Sequence, residues 1–141
     1  VKNDFLDLKL NYWPPYRWAM LGLTLLMPVV GMLLRFSPVL PEWLRNITGN
    51  IAYETLWIVL FLTIQPRLKP HSVAIGICLM TFGLEFLQLV QHPILVAARR
   101  TLPGRLILGN GFAWFDFPQY VLGSFVGWLI VLGVRRLVIA P

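Results

Sequence analysis

The sequence predicts an all-α, polytopic membrane protein: four transmembrane helices with a long interfacial or re-entrant connection between the third and fourth. Three observations predict it. Of 141 residues, 57% are hydrophobic and only 13% are charged, against about 25% charged in an ordinary soluble domain. The apolar residues gather into four long runs that fill most of the chain, leaving no length for a second domain. The Lys and Arg residues cluster at the ends of those runs, where basic side chains anchor helices to lipid headgroups.

Residues 1–16 read as an amino-terminal interfacial tail, in which Lys2, Asp4, Asp7 and Lys9 alternate with Phe5, Leu6, Leu8 and Leu10. Pro14-Pro15 is expected to break any continuing structure. Trp13, Tyr16 and Trp18 around Arg17 form an aromatic belt of the kind found at membrane surfaces. The membrane domain covers residues 17–136, with spans at about 18–34, 50–64, 72–90 and 115–134.

The first span ends at Arg35 and contains Pro28, a potential kink, with Gly22 and Gly31 where helices could approach closely. No small-x-small cleavage site follows it, which favours a retained helix over a signal peptide. Residues 36–49 read as a loop bounded by Pro38, Pro41 and Gly49, with a short turn at Pro41–Arg45. The second span carries Glu54 near its start. The basic turn Gln65-Pro66-Arg67-Leu68-Lys69-Pro70-His71 leads into the third span. That span is closed by Gln91-His92-Pro93, since the residue before proline disfavours helix. Residues 94–114 hold Arg99, Arg100 and Arg105 and read as a segment lying at the interface, with a turn at Gly109-Asn110-Gly111. Arg135-Arg136 closes the fourth span.

Twelve Lys and Arg against six Asp and Glu give a net charge of +6. No basic stripe lies on a soluble face, so nucleic acid is not an expected partner. The single cysteine, Cys78, lies within an apolar run and reads as an inert buried thiol, with no metal or disulfide pattern around it.

Chain alternation brings the polar residues together. The second and fourth spans start on the side where the first and third end. Glu54, Glu85, Gln88, His92, Asp116 and Gln119 therefore share one leaflet with Arg35 and with Arg99, Arg100 and Arg105. Thr81, Glu85, Gln88 and His92 fall on one helical stripe, as do Asp116, Gln119 or Tyr120, Gly123 and Gly127. A polar group in hydrocarbon costs several kcal/mol unless it finds partners, so such a cluster calls for an explanation. Seven Lys and Arg lie on the side of the termini and five on the other, which favours cytoplasmic termini in a bacterial cytoplasmic-type or internal membrane.

The run Leu84-Glu85-Phe86-Leu87-Gln88-Leu89, then Arg100-Thr101 and Gly104, then Leu108 to Asp116, then Tyr120 and Gly123, resembles the DUF2809 family of small bacterial membrane proteins. The order Glu-x-x-Gln, Arg, Asp, Gly is also similar to the wider VanZ-like proteins, one of which is linked to glycopeptide antibiotic resistance. The resemblance extends over residues 16–127 and implies that Glu85, Gln88, Arg100 and Asp116 are signature polar residues. It also implies Gly-Asp before the second span and Ser-Asp at the start of the fourth. This chain has Gly49-Asn50 and Phe115-Asp116 there.

The residues leave three functional readings open. In the first, the chain is non-catalytic and the cluster is a pocket for a lipid or lipid-linked headgroup, with arginines meeting phosphate. In the second, it is an accessory subunit docked through its helices on a larger membrane complex, energy-converting, photosynthetic or transport. For the cluster itself the alternative to a pocket is an internal network that fixes helix packing, in which an arginine loop is clamped by Glu85 and Asp116. The third is an intramembrane enzyme on lipid-linked substrates, although Ser124 and Thr81 lack an adjacent base. No cofactor is expected beyond a bound lipid. His71 and His92 are read as capping or loop residues rather than pigment ligands.

Overall fold

The structure, a computed structural model, describes residues 14–109 and 111–139. Residues 1–13 of the tail read at residues 1–16 lie outside these, as does Asn110 of the expected Gly-Asn-Gly turn, and residues 14–16 belong to the first helix. Among the described residues the only regular elements are helices, in the order α1 (Pro14–Arg35), α2 (Glu42–Ile64), α3 (Pro70–Leu87), α4 (Pro93–Arg100), α5 (Leu102–Leu108) and α6 (Asp116–Ile139). Helices α1, α2, α3 and α6 are long and apolar enough to cross a membrane, so the chain has the architecture of an integral membrane protein. The short helices α4 and α5 make up most of the long connection.

Helix α2 is central and packs against α1, α3 and α6. Its core divides into two halves of opposite character. At the end holding the start of α1 and the α2–α3 turn, Tyr16, Met20, Ile58, Val59, Leu62, Val73, Ala74, Ile77 and Val131 form an apolar cluster. Arg135 closes this end, donating to the Pro66 and Leu68 carbonyls at 3.0 and 3.1 Å and lying over the Tyr16 ring. Towards the other end the buried side chains include Glu54, Thr81, Glu85, Gln88, Tyr120 and Ser124.

Four helix boundaries differ from the sequence expectation. Pro14-Pro15 does not break structure but begins α1, since a proline in the first turn has no N–H to lose and its φ already suits a helix. Helix α2 starts at Glu42, not at residue 50. Pro41 directs the chain in, its carbonyl accepting from Leu44 and Arg45 at 3.0 Å, and Gly49 is a packing glycine rather than a loop residue. A Cβ there would stand 3.3 Å from Arg35 Cδ, which lies across it. Glu54 is therefore not near the start of its helix but about 18 Å along it, at 1.5 Å per residue.

Helix α3 ends at Leu87 instead of Val90, because Arg99 reaches back to take the Leu87 and Val90 carbonyls at 2.8 and 3.3 Å. This cation caps the negative end of the helix dipole. Helix α6 runs on past Arg135-Arg136 to Ile139. Arg135 turns inward to bond the α2–α3 turn, so the basic pair marks a tether and not a helix end.

Glycines on α6 let α2 come close. A Cβ at Gly123 would lie 2.7 Å from Glu54 Cβ, and one at Gly127 would lie 2.8 Å from Ile58 Cδ1. Both distances are well inside the roughly 3.5–4.0 Å optimum for carbon atoms, so this stripe admits nothing larger than hydrogen without a shift.

Candidate functional site

Three helices contribute rungs to a polar ladder. The deepest rung is Glu54, fully buried, whose Oε1 accepts from Ser124 Oγ at 2.8 Å and Thr81 Oγ1 at 3.3 Å. Four residues beyond Thr81 on α3 is Glu85. Its Oε1 accepts the Ala113 backbone N–H at 2.8 Å, and its Oε2 accepts from Tyr120 at 3.0 Å and Gln88 Nε2 at 3.2 Å. The outer rung is Asn50, whose amide nitrogen donates to Gln119 Oε1 at 2.7 Å and Asp116 Oδ1 at 3.1 Å. The pairs Asn50/Glu54, Thr81/Glu85 and Tyr120/Ser124 are each four residues apart, which stacks successive rungs on one helix face.

The segment before α6 is held against α3 by rings. Phe82 and Phe86 meet Phe117 at centroid distances of 4.8 and 5.3 Å, and Phe112 meets Trp114 at 4.8 Å. This packing presents the Ala113 N–H to Glu85. Trp114 and Phe115 are 70% and 85% exposed, in the position of lipid-facing side chains.

The α4–α5 corner explains other signature positions. His92 Nδ1 caps α4 by accepting from Ile94 N at 3.3 Å. Thr101 caps α5, accepting from Gly104 N at 3.1 Å. A Cβ on Gly104 would collide with the Ala98 carbonyl, so the corner needs glycine there.

Of the residues singled out from sequence, Glu54, Glu85, Gln88, Asp116 and Gln119 join the ladder. His92, Arg99, Arg100 and Arg105 do not. The arginine clamp on Glu85 and Asp116 is absent, because among the described residues no ion pair engages either carboxylate and neutral donors occupy the Glu85 oxygens. Arg99 is committed to the α3 carbonyls. Arg100 and Arg105 are exposed. Reading by residue type misses the Ala113 backbone donor and the central place of Asn50, which on sequence alone looks like the loss of an acid. An amide at position 50 can donate to Asp116, whereas a second carboxylate would repel it. The available signal is the pairing of Asn50 with an acid across the alternation of spans.

Above the ladder, at the end of α3, lies an open cavity of about 440 Å³ lined by Gln88, Leu89, Gln91, Val96, Arg99, Arg100, Gly111 and Phe112. Its size falls within the roughly 300–1,000 Å³ of small-molecule sites. Among the described residues, two side-chain atoms of this lining, Gln88 Oε1 and Arg99 Nε, are buried without a hydrogen-bond partner, as are Glu54 Oε2, Thr55 Oγ1 and Trp57 Nε1 elsewhere in the bundle. Among those residues no group of His, Cys, Asp and Glu could hold a metal ion.

No solved structure matches the chain. A family model described as a protein of unknown function, DUF2809, matches residues 39–124. That stretch begins just before α2 and ends at Ser124, so it contains every residue of the ladder and of the cavity. The chain belongs to the DUF2809 family.

Proposed function

We propose that this is a non-catalytic integral membrane protein that binds the phosphate-bearing headgroup of a lipid or lipid-linked molecule in the cavity at the end of α3. One observation carries the reading: two guanidinium groups line an open cavity that no carboxylate lines, Arg100 exposed and Arg99 with its terminal nitrogens on the Leu87 and Val90 carbonyls and its Nε without a partner among the described residues. Arginine presents a planar fork of donors that matches phosphate oxygens. The exposed rings beside Phe112, a lining residue, supply apolar surface for the lipid chain. In this reading Glu85 and Asp116 stand behind the cavity and hold its wall, while Gln88 and Arg100 face the ligand.

The seven-to-five distribution of Lys and Arg supports cytoplasmic termini in a bacterial cytoplasmic-type membrane. The cavity then opens on the opposite leaflet. Native mass spectrometry of gently extracted protein tests the function. The wild type should retain phospholipid and Arg100→Gln should lose most of it, with helicity unchanged because Arg100 is exposed. Equal lipid content in the two would sink the proposal. A particle far above 16.2 kDa in the same spectrum would favour the accessory-subunit role instead.

A further inference from the structure

The cavity holds an unused acceptor as well as donors. Gln88 is only 8% exposed. Its Nε2 donates to Glu85 Oε2 at 3.2 Å, which fixes the orientation of the amide, because the NH2 group is the half that can donate to that oxygen. The amide oxygen is thereby turned away from the ladder. Oε1 is buried and accepts no hydrogen bond among the described residues, in a side chain that lines the cavity. The amide is also wedged from behind. Gly109, at φ +72°, packs its backbone against it, and a Cβ there would collide with Gln88 Nε2 and lie 3.3 Å from Oε1. Held by Glu85 on one side and Gly109 on the other, Gln88 is poorly placed to swing away and satisfy Oε1 elsewhere.

On the same cavity, Arg99 Nε is a buried donor with no acceptor among the described residues, and Arg100 offers an exposed guanidinium. The walls thus present an acceptor together with cationic donors. A ligand complementary to both has anionic oxygens and, next to them, an N–H or O–H of its own.

We infer that the cavity selects phospholipids whose headgroup carries a hydrogen-bond donor beside the phosphate, a primary ammonium or a hydroxyl, over headgroups with the same phosphate and no donor. This rests on the phosphate-headgroup reading above. The decisive pair is phosphatidylethanolamine against phosphatidylcholine. Both carry one phosphate and no net charge, and trimethylation of the amine removes the donors.

The test is titration of the delipidated full chain in detergent with short-chain phosphatidylethanolamine, phosphatidylglycerol and phosphatidylcholine, read by native mass spectrometry. Ethanolamine and glycerol lipids should bind at least about tenfold more tightly than choline lipid, as expected when a buried acceptor is left unpaired. The glycerol and ethanolamine arms separate hydroxyl from ammonium as the donor. Gln88→Leu should bring the ethanolamine lipid to the level of the choline lipid, and should weaken the glycerol lipid while leaving it the advantage that its net negative charge has beside Arg99 and Arg100. Equal binding of ethanolamine and choline lipids by the wild type overturns this inference and leaves the phosphate reading standing. Binding of none of the three, or binding unaffected by Arg100→Gln, overturns the phosphate reading itself. The wild-type comparison needs no variant to fold.

Discussion

Replacing Gly123 by alanine adds one methyl group at the closest approach of α6 to α2. That methyl would lie 2.7 Å from Glu54 Cβ and 3.1 Å from Ile51 Cα. Neither neighbour is the far end of a flexible side chain, so α2 must retreat by roughly 0.5–1 Å to restore ordinary contact. Overpacking of this kind costs about 1–3 kcal/mol, offset by up to about 1 kcal/mol of gained helix propensity. The same helix supplies its own controls. A Cβ at Gly133 meets nothing within 4 Å, and one at Gly127 meets first the mobile tip of Ile58 at 2.8 Å. Gly133→Ala should therefore be neutral or slightly stabilising, Gly127→Ala intermediate, and Gly123→Ala the least stable, about 1–3 kcal/mol below Gly133→Ala. Equilibrium unfolding in mixed micelles, followed by circular dichroism, measures the series. If Gly123→Ala proved as stable as Gly133→Ala, the close α2–α6 packing that positions Glu54 would be refuted.

Four further substitutions, in two comparisons, probe the ladder. Tyr120→Phe removes one of the donors to Glu85 without leaving a void and should destabilise by about 1–3 kcal/mol, whereas Glu85→Leu strands the Ala113, Tyr120 and Gln88 donors together and should cost more in the same unfolding assay. The reverse order would show that Glu85 is not the acceptor that organises these groups. Asn50→Asp, which restores the acid implied by family resemblance, places a carboxylate against Asp116 and removes the shared donor. It should lower stability by about 1–3 kcal/mol, and adding Asp116→Asn should recover most of the loss, because the amide introduced at position 116 can then donate to the new acid; thermal melts of the single and double variants decide it.

The helical class, the number of spans and the placing of Glu54, Glu85, Asp116 and Gln119 in one polar half of the bundle are legible in the sequence, because apolar run length and chain alternation are enough to say which helix ends lie together. The boundaries are not. Gly49 carries no mark distinguishing a loop glycine from one over which Arg35 packs, so reading it as loop leaves α2 two turns short and Glu54 too shallow. The destinations of the arginines are equally hidden. Arg99 serves carbonyls at the end of α3 and Arg135 those of the α2–α3 turn, and backbone acceptors leave no signature in residue types. The Ala113 N–H escapes notice for the same reason.

Where the arginines go bears directly on what the polar half of the bundle can do. Suppose Arg100 had folded onto Glu85, as charge matching alone suggests. The carboxylate would be paired, but the mouth of the cavity would lose a cation, and a phosphate arriving there would have to displace an internal ion pair. Instead, Glu85 takes a backbone N–H, a phenol and an amide, and Asp116 takes an amide. Each of these two acids is thereby served by groups that carry no charge. Such donors are individually weaker than a guanidinium, yet those on Glu85 converge from α6, the connection before it and α3, so the network joins those segments while leaving Arg100 uncommitted. The same division falls on Gln88: its donor half is bound to Glu85, and its acceptor half has no partner among the described residues. A ladder built from neutral donors is thus what leaves Arg100 unpaired with its carboxylates, and in the headgroup reading proposed above that is the physical condition for a phosphate to meet it.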